Sequence, residues 1–160
     1  MQATLAAVCF RDGQDVDRLL GEIASEQIAR GKRVVGVLQA RGDSQGECHC
    51  SDMDLETIGS GEVFRISQPL GEGSAGCRLH PGALADCSAF LQLEIEQGCD
   101  LLILNRFGRG ESEGRGFRDL ISSALSFDIP VLMALRSTYL DSFHSFAGEF
   151  GTQLVCDRAV

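Results

Sequence analysis

Lysine is nearly absent from this chain. Of its 14 cationic side chains, 13 are arginine, and Lys32 is the only lysine. Any mechanism that needs a lysine must use Lys32 or do without one. A long apolar run is also missing: no stretch reaches the roughly 18 residues that suggest a membrane span. The opening segment, Met1 to Phe10, has no basic residues ahead of its short apolar run. That argues against a signal peptide and for a cytoplasmic protein. Positive charge is in deficit, with 23 acidic residues and a formal net charge of −9. This balance excludes broad phosphate-backbone binding to nucleic acid, but a local arginine patch could still hold a small anion. Internal repeats and low-complexity tracts are missing as well.

What is present suits one domain spanning residues 1–160. The 44% hydrophobic and 23% charged fractions are those of an ordinary globule large enough for a core. Seven cysteines stand at 9, 48, 50, 77, 87, 99 and 156. An odd number without a secretion signal argues against a disulfide framework, so buried free thiols are expected.

Thr4 to Phe10 reads as a buried strand. Asp15 caps a helix carrying Val16, Leu19, Leu20, Ile23 and Ile28, which Gly31 ends. Arg33 to Gln39 is a second strand. Met53 to Ile58 and Glu62 to Gln68 read as strands joined by a Gly59-Ser60-Gly61 turn. Gly71 to His80 is a glycine-rich loop. Pro81 then opens a helix striped by Leu84, Cys87, Leu91 and Ile95, and Gly98 stops it. Asp100 to Asn105 is continuously apolar through Leu101–Leu104, a sign of burial on both faces. Arg106 to Gly116 reads as loop, Phe117 to Leu125 as helix, Pro130 to Leu135 as strand, Tyr139 to Phe150 as helix and Thr152 to Cys156 as strand. The alternation defines an α/β layered domain with helices on both faces of a mostly parallel sheet.

Ligands in such folds sit beyond the carboxyl ends of the strands, where three loops are expected to converge. The first contains Arg11, Asp12 and Gly13. A phosphate-binding loop here would hold glycines followed by Lys and Ser or Thr. That lysine is missing, and Asp12, Asp15 and Asp17 would repel a triphosphate. A plain strand-to-helix turn with a capping aspartate is the competing reading. In the second loop, Gly73 and Gly76 allow close approach of amides to an anion, Ser74 adds a hydroxyl and Arg78 a fork of donors. A merely flexible connection competes. Cys77 beside Arg78 is the best reactive-thiol candidate, although a packed thiol is commoner.

The third loop, Asn105 to Arg118, holds four of the thirteen arginines. P-loop enzymes end the corresponding strand in a magnesium-organising Asp. Asn105 is neutral and a poorer ligand. Asn105, Arg106 and Gly108 are read as functional. Glu111 and Glu113 could bind metal or act as a base, or could pair with Arg109 and Arg115 on the surface. Cys48-His49-Cys50 lacks the spacing and the second pair of a zinc site. His144, among Phe143, Phe146 and Phe150, reads as a core-edge histidine. Ser122, Ser123 and Asp128 make no triad on spacing. No metal site is expected.

The segments Val35-Gly36-Val37-Leu38-Gln39, Gly73-Ser74-Ala75-Gly76-Cys77-Arg78-Leu79 and Leu104-Asn105-Arg106-Phe107-Gly108 with Glu111 resemble domain of unknown function 2478. That family is NTPase-like and often encoded near molybdate-transport genes. The resemblance implies a P-loop-NTPase-like three-layer domain with a degenerate phosphate loop. It also implies a link to molybdenum, with molybdate or another oxyanion as ligand. A molybdate-transport protein or molybdoenzyme would be a partner, and a homodimer is compatible. His80 departs from the Asp expected there.

Three functions compete. One is non-hydrolytic binding of molybdate, tungstate or phosphate by Gly73, Ser74, Arg78, Asn105 and Arg106. Another is a divergent nucleoside-triphosphatase or phosphotransferase, with Arg11, Arg78 or Arg106 replacing lysine and Glu111 positioning water or magnesium. The third is a protein-interaction module. Loss of the lysine and the metal-linked aspartate, at about 3 kcal/mol each, would slow phosphoryl transfer about 10⁴-fold, which favours binding.

Overall fold

The apolar segments assemble as the middle of one twisted sheet. The protein was analysed as a computed structural model, which describes residues 4–11, 14–39, 55–64, 67–69, 77–79, 81–114 and 116–155. In chain order the strands are β1 (Leu5–Phe10), β2 (Val34–Gln39), β3 (Leu55–Thr57), β4 (Val63–Phe64), β5 (Ser67–Pro69), β6 (Cys77–Leu79), β7 (Leu101–Phe107), β8 (Val131–Arg136) and β9 (Gly151–Val155). The helices are α1 (Val16–Ala29), α2 (Pro81–Glu96), α3 (Arg109–Ser112), α4 (Arg118–Ser126) and α5 (Leu140–Ala147). Seven strands run in the order β4-β3-β2-β7-β8-β1-β9. The five from β2 to β9 are parallel, and β3 and β4 add an antiparallel edge.

Alternation along each strand sorts the side chains into two cores. Leu5 and Ala7 of β1, Val35 and Val37 of β2, and Leu102 and Leu104 of β7 join residues of α2, α4 and α5 on one face. Val8, Phe10, Val34, Ile103, Leu132 and Ala134 meet Val16, Leu20 and Ala24 of α1 on the other. Full burial of such side chains contributes about 1.5–3 kcal/mol each. Polar caps set the helix ends. Asp15 caps α1 by accepting from the Arg18 amide at 3.0 Å. Gly31 (φ 82°) and Gly98 (φ 94°) follow α1 and α2 in conformations that favour glycine. Gly36 serves another purpose: a Cβ built there would lie 1.8 Å from the Ile103 carbonyl oxygen, so β2 and β7 need its bare backbone.

The structure corrects several expectations. Residues 62–68 are not one strand. Val63–Phe64 pairs with β3, whereas Ser67–Pro69 pairs with Cys77–Leu79 in a separate two-stranded sheet. Cys77 and Arg78 therefore belong to a strand and not to a loop; backbone pairing overrides the flexibility that the nearby glycines suggest. Arg106 and Phe107 continue β7, and residues 109–112 form the short helix α3. The expected helix at 139–150 narrows to α5, flanked by 3₁₀ turns at Ser137–Tyr139 and Gly148–Phe150.

Candidate functional site

The chemistry gathers at the carboxyl edge of β1, β7 and β8. Strand β7 carries a β-bulge there: Leu104 lies opposite Met133, but Arg106 lies opposite Ala134. Asn105 is the extra residue. Simple alternation would put residue 106 on the same face as Leu104, under α2, α4 and α5. The bulge reverses this, as bulges re-aim side chains. Arg106 thus emerges on the α1 face and Phe107 returns to the opposite core, 5.6 Å from the ring of Phe143.

On the α1 face, the Arg106 guanidinium lies over the Phe10 ring, 5.2 Å from its centroid. The Arg136 guanidinium lies 4.8 Å from the same centroid. Phe10 is itself buried, and Arg136 is its register partner on β8. Small Ala134 lies between β7 and β1 at this level, which lets Arg106 reach across β8. Cation–π contacts of this kind contribute about 0.5–2 kcal/mol and hold each guanidinium against the ring. Arg106 Nη2 also donates to Asp17 Oδ2 of α1 at 3.1 Å. Its buried Nε has no hydrogen-bond acceptor among the described residues.

The first loop closes on itself. The Arg11 amide donates to Gln14 Oε1 at 2.7 Å, and the Gln14 amide donates to the Arg11 carbonyl at 3.1 Å. At the start of α1, Asp15 takes the Arg18 amide and Asp17 takes Arg106. The positive end of this helix is therefore met by the chain's own carboxylates. Arg11 is exposed, while Asp12 and Gly13 lie outside the described residues.

Glu111 is not the solvated surface residue that pairing with Arg109 or Arg115 would make it. It is buried at 7% exposure, and both carboxylate oxygens accept backbone amides. Gly108 donates to Oε1 at 2.9 Å and Phe117 to Oε2 at 3.0 Å. Burial pushes its pKa above the ordinary value of 4.5, and these amide hydrogen bonds partly oppose the shift. Gly116 (φ 66°) lies so close that a Cβ there would fall 1.6 Å from Oε2. Glu111 latches the segment that follows β7.

The other candidates fall in different places. Gly73, Ser74, Gly76, His80 and Cys48-His49-Cys50 lie outside the described residues. Cys77 and Arg78 lie on β6, which directly precedes α2. His144 is exposed, its ring centroid 5.7 Å from that of Phe143, so it is not the core-edge residue expected. Ser123 accepts from Gln92 across the α2–α4 contact. Lys32 sits beyond α1 at the opposite, amino edge, beside a cavity of about 300 Å³ lined by Ile28, Lys32, Val34, Ser60, Phe90 and Glu94. Arg33 is occupied there: it donates to Glu94 at 2.8 Å and to the Gly98 carbonyl oxygen. The arrangement places the lysine far along the fold from the arginines of the carboxyl edge.

Sequence reasoning reached Asn105 and Arg106 but missed Phe10, Asp17 and Arg136 as their neighbours. A signal existed for Arg136, the first cation after the apolar run Val131–Leu135. Among the described residues, no group of three His, Cys, Asp or Glu side chains could hold a metal ion, and no helix is long and apolar enough to cross a membrane.

A mostly parallel sheet between helical layers, with a strand-to-helix turn after β1 and polar groups at the end of β7, defines a P-loop-NTPase-like fold. The crystal structure of THEP1 from the hyperthermophile Aquifex aeolicus shares it, with a TM-score of 0.66 at 12% identity, over 95% of this chain and 87% of that one. The chain belongs to the family described as protein of unknown function (DUF2478), whose model matches residues 5–160. It is 34% identical over 156 residues to the molybdenum import ATP-binding protein ModC 2 of Bradyrhizobium diazoefficiens. The match covers 98% of this chain but only 17% of that relative's length.

Proposed function

We propose that this protein binds a small oxyanion of the molybdate, tungstate or phosphate type without hydrolysing a nucleotide, as an accessory of molybdenum metabolism. The observation that carries the reading is the pair of guanidinium groups, Arg106 and Arg136, gathered on Phe10 at the carboxyl edge. Guanidinium forks suit oxyanions. Asn105 and Gly108 flank Arg106, and Gly73, Ser74, Gly76, Cys77 and Arg78 are assigned to the same site on sequence grounds.

Two observations favour binding over hydrolysis. The α1 N-terminus is met by Asp15 and Asp17, where a nucleotide phosphate would need donors. Glu111, the residue that would position water or magnesium, spends both oxygens on backbone amides. The molybdenum link rests on the 34% identity to a molybdenum import protein. Isothermal titration with molybdate, tungstate, sulfate and phosphate tests the reading. Heat of binding that disappears in Arg106→Ala is expected. No heat with any of the four at millimolar concentration would refute it.

A divergent nucleoside-triphosphatase is the second reading, favoured by the P-loop-NTPase-like fold and by a relative named as ATP-binding. Magnesium-dependent phosphate release that is lost in Glu111→Gln would establish it in place of the first.

A further inference from the structure

We infer that the cavity at the amino edge of the sheet is a second binding site, for a small monocarboxylate with an apolar body, whose carboxylate is taken by Lys32 and the Val34 amide. It lies at the opposite end of the strands from the oxyanion site and goes beyond that reading.

The strand ladder creates the opening. Strand β2 pairs with β7 along Val34–Gly36 but with β3 only along Val37–Gln39. Past that pairing, the Ile58 amide donates to the Gly36 carbonyl at 2.8 Å on the β3 side. The Arg33 carbonyl accepts from the Asp100 amide at 2.8 Å on the β7 side. Backbone groups alternate between the two edges of a strand, so Val34 presents its N–H and C=O on the β3 side, where no strand pairs with it. Val34 is buried, and a buried amide calls for an acceptor. The cavity of about 300 Å³ lies here, with Val34 in its wall. The turn after β3 closes another side and is held in place: Thr57 is buried, its Oγ1 accepts the Glu62 amide at 2.9 Å, and it lies 2.5 Å from Ser60 Oγ.

The charges of the wall decide the ligand's charge. They are Lys32, Arg33 and Glu94. Arg33 Nη2 donates to Glu94 Oε2 at 2.8 Å and Nη1 donates to the Gly98 carbonyl, so these two residues neutralise each other. Asp100, outside the wall, accepts the Arg33 amide at 2.8 Å. Lys32 is anchored by its own amide on the Gln27 carbonyl, and its ammonium has no hydrogen-bond or ion-pair partner among the described residues. An ammonium carries three donors and no acceptor, so it suits one carboxylate. The rest of the wall is largely apolar, with Phe90, Leu91 and Ile28, the last 47% exposed and open to cover by a ligand. The volume is about ten times the ~30 Å³ share of one water, which suits a ligand of about ten non-hydrogen atoms and excludes a nucleotide.

The test titrates phenylacetate, hexanoate and the neutral phenylacetamide into the isotope-labelled full chain, followed by amide NMR. Both carboxylates are expected to saturate at millimolar concentration and to shift the amides of Val34, Ile58 and Ser60. Phenylacetamide binds at least about tenfold more weakly, the factor that loss of one charge-assisted hydrogen bond represents. Lys32 is exposed, so its replacement does not burden the core. Lys32→Gln brings phenylacetate down to the affinity of phenylacetamide and leaves phenylacetamide unchanged. Lys32→Glu abolishes phenylacetate binding and gains binding of the cation phenethylamine, a switch that damage to the fold cannot produce. No saturable shift with either carboxylate, shifts confined to the carboxyl edge, or a Lys32→Gln variant that keeps the wild-type preference would each overturn the inference. Molybdate binding at the carboxyl edge is a separate measurement that none of these outcomes alters.

Discussion

Replacing Glu111 by alanine removes the acceptor of two amides in a buried place, and its cost can be worked from the structure. The Gly108 and Phe117 amides lose their partners at 2.9 and 3.0 Å. A buried donor left unsatisfied costs about 1–3 kcal/mol. Two of them amount to about 2–6 kcal/mol, of which water entering the cavity recovers part, so about 3 kcal/mol is expected. With a urea dependence of about 2 kcal/mol per molar, the unfolding midpoint falls by about 1.5 M. Glu111→Gln keeps one acceptor and turns an NH₂ toward the other amide, so about 2 kcal/mol is lost. Titration supplies an independent check. The native pKa lies above the unfolded value near 4.5, so between the two the folded protein holds more protons. The contribution of Glu111 is therefore fully present below about 4.5 and is lost as pH rises through the native pKa. Relative to the non-titrating Gln variant, wild type becomes more stable on acidification from neutrality toward 4.5. Urea unfolding by circular dichroism at several pH values reads both effects. An alanine variant within about 0.5 kcal/mol of wild type, smaller than a single lost amide partner, would refute the latch. A wild-type advantage that shrinks on acidification would refute the burial argument.

Four further outcomes follow from the same structure. Gly116→Ala places a Cβ 1.6 Å from Glu111 Oε2 at φ 66°. It should cost at least about 2 kcal/mol, and a double-mutant cycle with Glu111→Ala should be strongly non-additive; additive losses would separate the two residues. Gly36→Ala drives a methyl group into the Ile103 carbonyl of the neighbouring strand and should abolish the cooperative unfolding transition, so a wild-type melting curve would contradict the close approach. Burial pushes the Cys87 thiol up to about 12, leaving about one thiolate in 10⁴ at pH 8. Mass-mapped iodoacetamide labelling should therefore spare Cys87 in the folded protein and modify it in urea. Asp15→Ala removes the side-chain cap of α1 and should lower stability by about 1 kcal/mol in the same urea assay.

The fold was largely legible because its signals are local and strong. Asp15 before an amphipathic run acts through its side chain on an amide three residues on, and Pro81 at a helix start and Gly31 and Gly98 after helix ends act through their own backbone. The uninterrupted run Leu101–Leu104 announced a strand buried on both faces, and it is flanked by β2 and β8. Strand pairing was less legible. Ser67–Pro69 reads as a continuation of Val63–Phe64, yet its partner is Cys77–Leu79, a choice between distant segments that periodicity does not encode. For the site, the rule that ligands sit at carboxyl ends of strands found Asn105 and Arg106. Applied to the strand ending at Arg136, the same rule would have reached the second arginine.

The amino-acid sequence by itself determined the class of fold, the scarcity of lysine and the collection of arginines near strand ends. It settled these because helix caps, apolar periodicity and composition need no partner from elsewhere in the chain. Tertiary structure alone decided what those arginines do. One extra residue in β7 turns Arg106 from one face of the sheet to the other, where Asp17 and Phe10 meet it. A bulge depends on the register between two strands, and a buried carboxylate such as Glu111 takes its role from amides three and six residues away that only the folded loop brings to it.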